Sequence, residues 1–148
     1  MFIALRVWLW AAIVRPLKHV LPLPTLVRLA RPRTRPASRD RRESFEQALE
    51  RYLMQRGRFP ARPPGNCLER SLAAYRLLCA VGSDPRLVVG VRPGDRGVDG
   101  HVWIVLDGRP FAEVSDVASY ASVVAFDARG RREATVGDGT DLTGVRWA

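Results

Sequence analysis

Cysteine, histidine and lysine are all scarce in this 148-residue chain: two cysteines (Cys67, Cys79), two histidines (His19, His101) and one lysine (Lys18). Four Cys and His residues, none at zinc spacing, argue against a structural metal, and no cofactor is called for. Both cysteines fall on one expected helix. Twelve residues at 1.5 Å rise put them about 18 Å apart, whereas a disulfide needs Cα atoms within about 7 Å. Two unpaired thiols suit a reducing cytoplasm. No apolar run reaches the about 20 residues of a bilayer span. The run MFIALRVWLWAAIV is interrupted by Arg6 and expected to end at Pro16, and it lacks the charged start and cleavage site of a signal peptide. Internal repeats and low-complexity segments are also missing. The length supports one domain with a real core.

Charge is present but uneven. Residues 1–42 hold ten Lys or Arg and one acid, Asp40, for a net +9, while residues 43–148 hold fourteen of each sign and are neutral. The excess belongs to an N-terminal arm, with a domain at 43–126 and a Gly-rich tail at 127–148. A neutral domain with few exposed aromatics argues against nucleic acid. The first helix is expected to pack on the core; a helix lying on a membrane or a partner protein is the other reading. From His19 to Arg42, prolines and arginines predict a linker or extended arm.

The element order predicts an α+β fold. Ser44 with Gln47 reads as a capping box opening a helix, with Gly57 as its stop. Phe45, Ala48, Leu49, Tyr52 and Leu53 form its apolar face. A second helix opens at Cys67 after Asn66, an expected cap, and ends at Gly82. Arg86–Arg92 reads as a buried strand. A Gly/Asp-rich loop over 93–100 leads to the strand His101–Leu106. Asp107-Gly108 marks a hairpin turn with Arg109–Val114 as partner, and 117–126 reads as a further strand or a short helix.

Cys67 at a helix opening faces unpaired backbone N–H groups and the positive end of the macrodipole, a setting that favours the reactive thiolate and can hold an oxyanion. The plain alternative is a structural cysteine. His101 stands at a strand start with Trp103 and Val105 on its own face; the plain alternative is a hydrogen-bonded core histidine. Arg70 and Ser71 are expected to brace the helix. Cys67 as nucleophile and His101 as base imply a hydrolase. An acyltransferase or transglutaminase-type enzyme would use the same groups, and a non-enzymatic basic adaptor acting through residues 1–42 is the reading from another class.

Around these residues, PGNCLERSLAAYRLL, a strand ending Val-Gly-Val, and HVWIVLDGRPFAEVSDVASY resemble the transglutaminase-like leader peptidases of lasso-peptide biosynthesis, over about residues 60–126. The resemblance implies a papain-like fold and a Cys-His-acid triad with Cys67 as nucleophile and His101 as base. It also implies a ribosomally made precursor peptide as substrate and an ATP-dependent cyclase acting afterwards. The residues before Cys67 lack the strands of a winged helix, so a leader-recognition protein is expected in trans. Val102 stands where that family usually has Ala.

Three acids follow His101. Asp107 lies about 20 Å along the same strand. A two-residue turn would pair Leu106 with Arg109 and turn Glu113 to the far face. A three-residue loop with a G1 bulge would pair Val105 with Arg109 and set Glu113 opposite His101. Glu113 is therefore expected as the third member through the three-residue loop, with Asp116 as the fallback.

Overall fold

The computed structural model describes residues 2–32, 37–55, 66–95, 97–133 and 146–147. Among the described residues one helix packs on an antiparallel sheet and three further helices pack around it, the expected α+β architecture. The central helix is α4, Cys67–Val81. Asn66 caps it by accepting the Glu69 amide at 3.1 Å. Gly82, in the left-handed region at φ 86, closes it. Leu72, Ala73, Tyr75 and Leu78 are fully buried, each large apolar side chain contributing about 1.5–3 kcal/mol.

Helix α3, Arg39–Met54, begins before the expected capping box. Ser44 lies inside the helix, because Arg39 and Glu43 pair at 2.7 Å one turn earlier and carry the helix back. Gly57, the expected stop, lies outside the described residues. Leu49, Tyr52 and Leu53 are buried as their spacing predicted.

Two expectations for the N-terminal arm are corrected: that Pro16 ends the first helix, and that 19–42 is a linker or extended arm. Helix α1, Phe2–Leu17, runs through Pro16. Proline there removes the bond to the Ala12 carbonyl, and Ala12 lies on the exposed side, where water can donate to that carbonyl instead. Helix α2, Leu23–Ala30, occupies the Pro-rich stretch with a proline in its first turn, a position where the missing N–H has no partner to lose. Val7 and Val14 of α1 and Leu26, Val27 and Ala30 of α2 join the same core as α4. Arg76 of α4 ties both down: its guanidinium lies 4.3 Å over the Trp10 ring and donates to the Leu29 and Ala30 carbonyls at 3.3 Å.

The sheet runs β3 (Arg109–Phe111), β2 (Gly97–Leu106), β1 (Arg86–Gly94), β4 (Ala121–Phe126) and β5 (Arg132–Glu133), with β6 (Arg146–Trp147) parallel to β2. β1, Arg86–Gly94, pairs with β2, Gly97–Leu106, along their whole length to Gly94↔Gly97. The expected loop at 93–100 is thus mostly strand. Pro93 is tolerated because β4, Ala121–Phe126, stops pairing with β1 at Val91, leaving one neighbour rather than two. Segment 117–126 holds both of the expected forms, a 3₁₀ turn at Val117–Ser119 and then β4. β5, Arg132–Glu133, forms the far edge.

Side chains alternate across the sheet. Leu87, Val89, Val102 and Ile104 belong to the main core. Val88, Trp103, Tyr120 and Ala125 form a smaller cluster of their own.

Candidate active site

Cys67 is the first residue of α4 and is buried, and both thiols of the chain are free. The first intrahelical bond runs from the Arg70 amide to the Asn66 carbonyl at 3.1 Å, and Asn66 Oδ1 takes the Glu69 amide. The amides of Cys67 and Leu68 therefore precede the helical ladder and stand beside the sulfur.

Helix and strand are locked together at this level. Ser71 Oγ donates to the Val102 carbonyl at 2.8 Å, in a buried contact. Arg70 and Ser71 line a small cavity of about 30 Å³ together with Cys67, His101, Phe111 and Glu113. Ser71 braces the helix, as expected. Arg70 does more than the sequence suggested, since it also walls the cavity with its Nε buried and without a hydrogen-bond partner.

His101 sits in mid-strand, five residues into β2, rather than after a loop. Its ring stacks on Trp103 at 6.0 Å between centroids and leans on Tyr120 at 5.3 Å. Opposite it on β1 is Gly90, where an added Cβ would meet the Trp103 ring at 2.7 Å. The missing side chain is what lets Trp103 lie flat beside the histidine. No sequence pattern marked Tyr120 or Gly90 for this role, because their contacts cross three strands.

Glu113 reaches His101, but by a different route from the one expected. The turn has two residues, Asp107 (φ 49) and Gly108 (φ 74), both left-handed as a type I′ turn requires. The pairs are Leu106↔Arg109, Val105↔Pro110 and Ile104↔Phe111. The three-residue loop with its G1 bulge does not form. In this register an uninterrupted strand would put Glu113 on the far face, but β3 (Arg109–Phe111) stops and Ala112 turns left-handed at φ 51. That flip costs about 1–2 kcal/mol for a residue with a Cβ, and it swings Glu113 back to the histidine. Asp107 stays in the turn. Asp116 caps the 3₁₀ turn by accepting the Ala118 amide at 3.2 Å.

Glu113 Oε2 lies 2.9 Å from His101 Nε2, and Oε1 accepts the Val114 and Ser115 amides at 2.8 Å each. Burial by itself disfavours both charges. For His101 it is outweighed by hydrogen bonding to Cys67 and Glu113 and by their negative charge, which raise the imidazole to about 9. For Glu113, the His101 bond and the two amides outweigh burial and hold the carboxyl down to about 2. The pair is an imidazolium and a carboxylate at neutral pH. With Nε2 engaged by Glu113, Nδ1 is the ring nitrogen left for Cys67. Nδ1 is buried and makes no hydrogen bond of ordinary geometry, yet Cys67 is near enough to favour the charged ring.

A buried helix-opening cysteine, a histidine on the adjoining strand and a carboxylate behind it form one group in one cavity. A family model described as the Transglutaminase-like superfamily matches residues 5–125, from α1 to nearly the end of β4. The chain belongs to that superfamily. Neither the curated proteins nor the solved structures yield a match. This transglutaminase-like chain has, among its described residues, no helix long and apolar enough to cross a membrane.

Proposed function

We propose that this transglutaminase-like protein is a cysteine peptidase that removes the leader from a ribosomally synthesised lasso-peptide precursor, with Cys67, His101 and Glu113 as its triad. The observation that carries the chemistry is the Glu113 carboxylate on His101 Nε2, which leaves Nδ1 to serve the sulfur. The substrate class rests on the Cys-Leu-Glu-Arg-Ser-Leu run and the His-Val-Trp strand followed by Asp-Gly-Arg-Pro.

The Cys67 thiolate attacks the scissile carbonyl, forming a C–S bond, while the adjacent helix-opening amides hold the oxyanion. The His101 imidazolium gives its proton to the leaving amine as the C–N bond breaks. Water then attacks the acyl-enzyme, its proton passes to His101, and the thiolate is released. Glu113 keeps the ring oriented and supports its charge throughout. A leader-recognition protein in trans presents the precursor, and an ATP-dependent lasso cyclase takes the freed core peptide.

The test is to incubate the chain with precursor and leader-binding protein, without cyclase, and to weigh the products. Leader and core peptides differing from the precursor by one added water are expected, and Cys67→Ala should give none. Cleavage retained by Cys67→Ala would overturn the triad. With an amine added, a product carrying that amine in place of water would assign the same triad to acyl transfer.

A further inference from the structure

Helix α1 is apolar on two sides. Val7, Ala11 and Val14 are buried in the fold. On the outward side Phe2 is 80% exposed, Leu5 65%, Leu9 61% and Ile13 40%. Their three- and four-residue spacing draws them into one stripe along the helix. Exposed Arg6 borders that stripe, while Arg15, also exposed, reaches back toward the buried Glu69 carboxylate at 3.8 Å. Exposed leucines and a phenylalanine in one line are not needed for the core, since the opposite face already supplies the packing.

We propose that this outward face of α1 docks the protein on an anionic lipid surface, with the helix lying in the plane of the interface. An apolar stripe edged by an arginine is the pattern of a helix that sinks its apolar face to the acyl boundary while the cation stays among the headgroups. The charge distribution points to the same occupant: residues 1–42, which include this helix, carry a net +9 and the remaining residues none, so the N-terminal part of the chain favours an anionic surface. A second copy fits less well. A parallel two-fold contact through this stripe would set Arg6 beside its own copy, with like charges meeting at the rim. Sixteen helical residues extend only about 24 Å, short of a bilayer core of about 30 Å, so the helix lies on the surface rather than crossing it. No residue of α1 lines the cavity of Cys67, His101 and Glu113, and docking leaves that site open.

Flotation of the full chain with phosphatidylcholine vesicles, with and without abundant phosphatidylglycerol, tests the assignment. Binding is expected to the anionic vesicles, to weaken as salt is raised, and to weaken about fivefold in Arg6→Gln. Leu5→Ser/Leu9→Ser should lose flotation while keeping the wild-type circular dichroism and melting curve, because both side chains are exposed. The proposal is overturned if the chain floats with neither vesicle, or if the double variant floats like wild type. It is equally overturned if the double variant changes only the oligomeric state, which would make the stripe a self-association face.

Discussion

Two oxygens of one carboxylate divide the work at the residue scale: Oε2 faces the His101 ring, and Oε1 is held by two backbone amides. Glu113→Gln keeps the size but removes the charge, so the imidazole loses both its orienting partner and its stabilisation. Turnover should fall roughly 10³–10⁴-fold with the circular dichroism spectrum unchanged; a loss under tenfold would remove Glu113 from the triad. The same pair sets a pH dependence of stability. His101 is raised from 6.5 to about 9, so its contribution is full below 6.5 and is lost as pH rises through about 9. Glu113 is lowered from 4.5 to about 2, so its contribution is full above 4.5 and is lost as pH falls through about 2. The melting-temperature gap between wild type and Glu113→Gln should therefore be widest between about pH 4.5 and 6.5 and shrink by pH 10. The two thiols differ as well. Burial pushes Cys79 up to about 12, and its sulfur faces the Ala128 carbonyl at 3.7 Å. Iodoacetamide should modify Cys67 first by peptide mapping, and equal labelling would contradict its role as nucleophile.

Between elements, the contact that decides the site is the one joining α4 to β2. Ser71 Oγ meets the Val102 carbonyl one residue from His101 and one helical turn from Cys67, so it sets the nucleophile against its base. Ser71→Ala removes that link and leaves a buried carbonyl short of a donor, at a cost of about 1–3 kcal/mol. Misplacement of the two groups should add a loss in kcat larger than the loss in KM. If Ser71→Ala lowers the melting temperature and leaves kcat untouched, the link is structural only. The β2–β3 hairpin adds a second such decision, because a single left-handed alanine at its end selects which face Glu113 occupies.

For the whole molecule, α1 and α2 are part of what holds the nucleophile helix. Lys18 Nζ lies 2.7 Å from Glu69 Oε1, with Glu69 only 2% exposed in the first turn of α4. Removing residues 1–38 takes away Val7, Val14, Leu26 and Val27 from the core and strips a buried carboxylate of its cation, a loss put at about 3–5 kcal/mol for the charge alone. Against a typical domain stability of about 5–15 kcal/mol, that deletion should abolish the cooperative melt. A truncated chain that still melts cooperatively and cleaves precursor would show the N-terminal helices to be dispensable.

The local and periodic features were legible in the amino-acid order. Asn66 and Gly82 mark the two ends of α4 because a cap and a left-handed stop depend only on neighbouring residues. The alternation along 101–106 separates Val102 and Ile104 from Trp103 because strand period is a local property. Cys67 stood out for the same reason, by its place at a helix opening, whereas the place of His101 in mid-strand depended on the pairing of β1 with β2. What tertiary structure decided was everything that joins elements. Prolines that read as a linker became the first turn of α2 once Leu26, Val27 and Ala30 had a core to enter. Asp-Gly chose the two-residue turn it favours, and the return of Glu113 to His101 then fell to Ala112. Its left-handed backbone has no signal in an alanine and is set where the side chain packs, 7% exposed, and Glu113 bonds to His101.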